Sequence, residues 1–82
     1  MSSQRIGGVR FRAYPADHEP RHFHAFVGDG RVVIELTMDG HVAIARRAGA
    51  ARGVKESEVS KVLHLADRHF DELVRLWEKM HG

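Results

Sequence analysis

The sequence predicts an α+β protein, an antiparallel sheet of about four strands packed against one long C-terminal helix. Three observations predict it. Between Ile6 and Ile44, apolar and polar residues alternate with the period of a half-buried strand. Gly28-Asp29-Gly30 and Asp39-Gly40 interrupt the alternation as hairpin turns. From Lys55 to His81 the apolar residues recur at steps of three and four, the period of a helix.

The first strand is expected over Ile6 to Tyr14, with Val9, Phe11 and Ala13 on one face and Arg10, Arg12 and Tyr14 on the other. Gly7-Gly8 loosens its start, and Pro15 ends it because proline cannot donate to a ladder. Asp17 to Arg21 reads as a loop around Pro20. From His22 the alternation resumes: Phe23, Ala25 and Val27 share one face, and His22, His24 and Phe26 the other. A rise of ~3.3 Å per residue then sets His22 and His24 about 7 Å apart.

With Asp29-Gly30 as a two-residue turn, Ala25 faces Ile34, Phe23 faces Leu36, His24 faces Glu35 and His22 faces Thr37. A three-residue loop, Met38-Asp39-Gly40, sets Leu36 opposite Val42 and Ile34 opposite Ile44, with His41 beside Thr37. One surface then holds His22, His24, Glu35 and His41. The opposite face, with Val9, Phe11, Phe23, Val32, Ile34, Val42 and Ile44, is the one the helix covers.

Arg46 to Val54, with Gly49 and Gly53 among alanines and arginines, reads as a flexible basic connection. The helix over 55–81 takes Ser57 as its cap. Leu65, His69 and Leu76 widen its apolar stripe to about half the cylinder, more than the ~100° that one sheet contact needs. That excess points to a second contact: a loop, the histidine segment, or another copy of the chain joined through Leu65, Leu76 and Met80.

Composition bounds the function. Eighty-two residues suit a single domain over 1–82. There is no cysteine, so any metal would rest on imidazole and carboxylate. No apolar run approaches the ~20 residues that span a bilayer. Met1 to Arg5 lacks the apolar core of a signal peptide, so a cytoplasmic protein without a membrane partner is expected. A net charge of +2 predicts no nucleic-acid partner by itself.

The chemistry concentrates in Asp17-His18-Glu19-Pro20-Arg21-His22-Phe23-His24, and three readings fit it. As a metal site, His18, His22 and His24 would ligate a divalent transition ion such as zinc, with Glu35 or His41 as a further ligand. As an acid–base centre, His22 and His24 would exchange protons, Glu35 would hold His24, and Arg10, Arg12 and His41 would bind RNA phosphate. As a structural device, His18 and His22 would fix the loop around Pro20, His24 would pair with Glu35, and His69 would bond the loop from the helix. Under that last reading the protein is a non-catalytic interaction module. His64 and His81 are expected to be solvated.

The same residues, placed after an alternating strand and before two hairpins, resemble a small bacterial family catalogued as domain of unknown function 4160. Its pattern is Asp-His-x-Pro-Pro-His-x-His, followed by strands and a helix bearing a histidine and a late tryptophan, as His69 and Trp77 stand here. Arg21 occupies the place of the second proline, and the alanine-rich link before the helix is longer. The resemblance implies a stand-alone cytoplasmic domain of bacteria or their phages, encoded near small protein partners of toxin-antitoxin character. It implies no established activity. Within that setting the sequence leaves two functions open: a histidine cluster acting on RNA or through a metal, and an antitoxin-like or inhibitor-like module with structural histidines.

Overall fold

A computed structural model describes residues 2–14 and 20–81. The fold is α+β, with an antiparallel sheet of six strands and two helices rather than four strands and one. In chain order these are β1 (Ser2–Ile6), β2 (Val9–Ala13), β3 (His22–Val27), β4 (Gly30–Leu36), β5 (Val42–Ile44), β6 (Ala51–Arg52), α1 (Glu56–Arg68) and α2 (Phe70–His81). The spatial order is β1-β2-β3-β4-β5, and β6 also pairs with β4.

The expected first strand is the second arm of a hairpin. Ser2 to Ile6 pair along β2, from Ser2 opposite Ala13 to Ile6 opposite Val9. Gly7 and Gly8 form the turn, with φ of 56° and 82°. Two successive left-handed residues are what a type I′ turn requires, so the glycine pair joins two strands instead of loosening one.

The next hairpin turns at Gly28-Asp29, not at Asp29-Gly30. Val27 pairs with Gly30, Phe23 with Ile34 and His22 with Glu35. Gly28 is left-handed at φ 56° and Asp29 is not, the pattern of a type II′ turn. Gly30 is needed for another reason: a Cβ there would stand 2.3 Å from the carbonyl oxygen of Gly53. The register differs from expectation by two residues. Because the side-chain period is also two, every residue keeps its predicted face while changing its partner. The third hairpin follows expectation, with Leu36 opposite Val42 and Ile34 opposite Ile44.

The link after β5 is part of the sheet edge. Ala45 N–H donates to Val33 O at 2.9 Å, and Val33 N–H donates to Ala50 O at 2.7 Å. β5 and β6 therefore run along the same edge of β4, and residues 46–49 bulge from it. Ala45 and Ala50 pack with Val33 in a small second core, on the face away from the helices.

The expected single helix breaks at His69, whose φ of −112° and ψ of 27° leave the helical region. Length gives a reason. Twenty-seven residues of straight helix, 55–81, would run about 40 Å at 1.5 Å per residue, against a longest molecular extent of 33 Å. The break lets α1 lie over β3, β4 and β5 while α2 lies along β1. Both halves of the stripe then stay on the core: Val62, Ala66, Leu73 and Trp77 are buried, with Leu65, Leu76 and Met80 packed partly against them. The cap also differs from Ser57. Lys55 is the N-cap, and its N–H donates to the Glu58 carboxylate at 2.9 Å.

The core lies between the helices and the inner sheet face, where Phe11, Phe23, Ile34 and Leu36 are fully buried. Each such side chain contributes about 1.5–3 kcal/mol. Ile44 keeps the inner parity but lies on the edge strand and is 39% exposed. Among the described residues no helix is long and apolar enough to cross a membrane.

Candidate functional site

At the start of β3, His22 has the parity of the outer face, yet it is only 6% exposed because the end of α2 closes over it. Its Nδ1–H donates to the carbonyl of Pro20 at 2.9 Å. The ring lies 5.7 Å from Trp77 on one side and 5.7 Å from His24 on another, centroid to centroid. Tyr14 meets His24 edge-on at 5.1 Å. Trp77 also touches Phe23 of the inner face at 6.3 Å, and stacks on His81 at 3.7 Å. The His81 ring nitrogens lie 3.0 Å from Trp77 O and 3.1 Å from Tyr14 O. A chain of rings thus ties the last turn of α2 to the ends of β2 and β3.

His81 is therefore a structural contact, not the solvated residue expected. The signal was available: it follows Trp77 by four residues, which sets the two rings on one helix face. Tyr14 and Trp77 likewise join a site that the histidine spacing alone did not include.

The sequence-predicted residues fare differently. His22 and His24 come together, and Arg12 is the cross-strand partner of His24. Arg10 pairs with Phe26 one step along the same face. Glu35 does not hold His24. It stands opposite His22 in register, and its carboxylate accepts the N–H of Arg46 at 3.1 Å, pinning the 46–49 bulge. His41 is exposed at the β4–β5 turn, where its backbone bonds Thr37. Asp39 in that turn is held below the usual carboxylate range, chiefly by the Thr37 hydroxyl. His18, the third member of the expected metal set, lies outside the described residues. Among the described residues no three histidine or carboxylate side chains converge as metal ligands.

His69 donates to Glu72 at 2.9 Å; residues 15–19 of the loop it was expected to bond lie outside the described residues. Arg21, in the place of the family's second proline, sets its guanidinium 5.9 Å from the centre of the Phe70 ring and donates to Thr37 O at 3.2 Å. It ties the residue just before β3 to the start of α2 and to the end of β4.

Glu72 also accepts from Gln4 at 2.9 Å, linking β1 to α2. The His69 bond, with help from Gln4 and Arg75, holds its carboxyl below the ordinary 4.5. A depressed carboxyl adds stability that is full above its unfolded value and is lost as pH falls through the folded one. Glu72→Gln is therefore expected to flatten the acid limb of the stability profile below about pH 4.5. Urea midpoints measured across that range check this; identical limbs in the two proteins would refute it.

The outer face is strongly basic. The six strands carry five arginines (Arg5, Arg10, Arg12, Arg31 and Arg52) and one carboxylate, Glu35. Among the described residues none of the five forms an ion pair. The Arg12 guanidinium lies 5.7 Å from the centre of the Phe26 ring.

The family described as Domain of unknown function (DUF4160) matches residues 8–78. The chain belongs to the DUF4160 family. No curated protein and no solved structure matches it. The matched span of this DUF4160 protein runs from the first turn into α2. It takes in both histidines of β3, Glu35, the bulge and Trp77, and leaves out β1 with Arg5 and the His81 contact.

Proposed function

We propose that this DUF4160 protein is a small bacterial or phage protein of toxin-antitoxin type that binds RNA through the outer face of its sheet. The observation that carries the reading is the charge of that face: five strand arginines without ion pairs, set beside Phe26, His24 and Tyr14. Cations supply the phosphate affinity of polynucleotide binding, and rings add stacking where the strand is single. Binding fits better than cleavage by His22, His24 and Glu35. His22 is buried and bonded to Pro20, and Glu35 is bonded to Arg46, so neither is poised to move a proton at the surface.

A protein-interaction role is the second reading, favoured by Met38 at 89% exposure and Ile44 on the open β5 edge. Fluorescence anisotropy with labelled RNA of mixed sequence separates the two. The expected result is binding that weakens steeply as salt rises. No binding even at low salt would set the RNA reading aside in favour of a protein partner.

A further inference from the structure

We infer that the outer face carries a track for single-stranded RNA, the cross-strand row Arg5, Arg10, Phe26, Arg31 and Arg52, in which the guanidiniums hold phosphates and Phe26 stacks a base. The inference rests on the RNA-binding reading and specifies the form of RNA and the residues that take it.

The register builds the row. Arg5 is opposite Arg10, Arg10 opposite Phe26, Phe26 opposite Arg31, and Arg31 opposite Arg52. Residues directly opposite in a sheet share a face. Five strands at 4.7–4.9 Å spacing make the row about 19 Å long. That is too long for one free phosphate and suited to several in sequence.

The arrangement is unfavourable in the free protein. Like charges directly opposite each other destabilise a sheet, and the row contains two such pairs, Arg5 with Arg10 and Arg31 with Arg52. No carboxylate stands in the row. A polyanion laid along the row would relieve the repulsion and offer acceptors to the guanidiniums.

Phe26 distinguishes the ligand. A duplex presents phosphates but keeps its bases stacked inside, whereas a single strand can place a base on an aromatic ring. Phe26 is half-buried, and its π-face already receives the planar guanidinium of Arg12. Beside it lies an open cleft of about 330 Å³, lined by Arg5, Gly8, Arg10, Phe26 and Gly28. The two glycines come from neighbouring turns and present no side chain to block a base.

The experiment is anisotropy on the full chain with a labelled uridine homopolymer of about 12 nucleotides, an RNA duplex of equal length, and polyglutamate as competitor. Variants are Arg5→Gln, Arg10→Gln, Arg31→Gln, Arg52→Gln and Phe26→Leu, with Lys79→Gln on α2 as control. The four arginines predict a log–log salt slope of about −2.8 for the single strand, which each arginine variant reduces by about 0.7. Phe26→Leu is expected to weaken single-strand binding by roughly fivefold or more at an unchanged slope. Lys79→Gln is expected to do neither. Each arginine variant removes one side of a like-charge pair, so none is expected to melt substantially below the wild type, and thermal melts run beside the binding assay separate lost binding from lost folding.

RNA bound as tightly by the row variants as by the wild type would overturn the track while leaving the RNA reading in place. Equal affinity for the duplex with no effect of Phe26→Leu would overturn it too, as would displacement by polyglutamate at equal charge. Absence of binding to any RNA would overturn the RNA-binding reading itself.

Discussion

Trp77→Ala is expected to cost about 3–5 kcal/mol of folding stability, the range for deleting a buried large aromatic side chain. Trp77 is 4% exposed and stands where α2 meets the start of β3. It packs on Phe23 of the inner face, on His22 at the start of β3 and on His81 of its own helix. No neighbour can collapse into the gap without releasing α2 from the sheet, which places the cost toward the upper end. A chain of this length has a total stability of about 4–12 kcal/mol, so the substitution removes a third or more of it. In a domain this small, Tm would fall by at least about 12 °C. Circular dichroism is the readout, because Trp77 is the only tryptophan. Trp77→Phe, which keeps a ring in the site, is expected to recover most of the loss. A fall of less than about 1 kcal/mol in Trp77→Ala would show that the ring chain does not secure α2.

His22→Ala and His24→Ala are expected to separate, although the two residues are neighbours on one strand face. His22→Ala should destabilise by about 2–4 kcal/mol. It leaves a cavity against Trp77 and removes the bond to Pro20, the latter worth about 0.5–1.5 kcal/mol. His24 is only half-buried, so His24→Ala should cost about 1 kcal/mol or less while weakening RNA binding. Urea unfolding combined with the binding assay checks both. If His22→Ala folds with wild-type stability and loses only function, His22 belongs to the working site and not to the fold.

These predictions mark where the sequence was legible. The alternation assigned Phe11, Phe23, Val32 and Ile34 to the buried face correctly, and His24, Phe26 and Arg12 to the outer one. The third hairpin followed from its loop length. The helical stripe named Val62, Ala66, Leu73 and Trp77 as core. Of the candidate site, His22 and His24 were found together, but Glu35 was given the wrong partner and His81 was taken for solvent-exposed.

By itself the sequence determined which side each residue faces, because a period of two or 3.6 is a property of the local chain. It also carried the histidine and proline spacing that marks the family. Only the tertiary structure decided which residues stand opposite one another in the first two hairpins and along the β4 edge beyond β5. The close approach of Gly53 to Gly30 accompanies a turn at Gly28-Asp29, and a 33 Å molecule leaves no room for a straight helix over 55–81. The arginine row belongs to this second kind of information. Its members come from five strands between Arg5 and Arg52, and only the register of the sheet brings them into line.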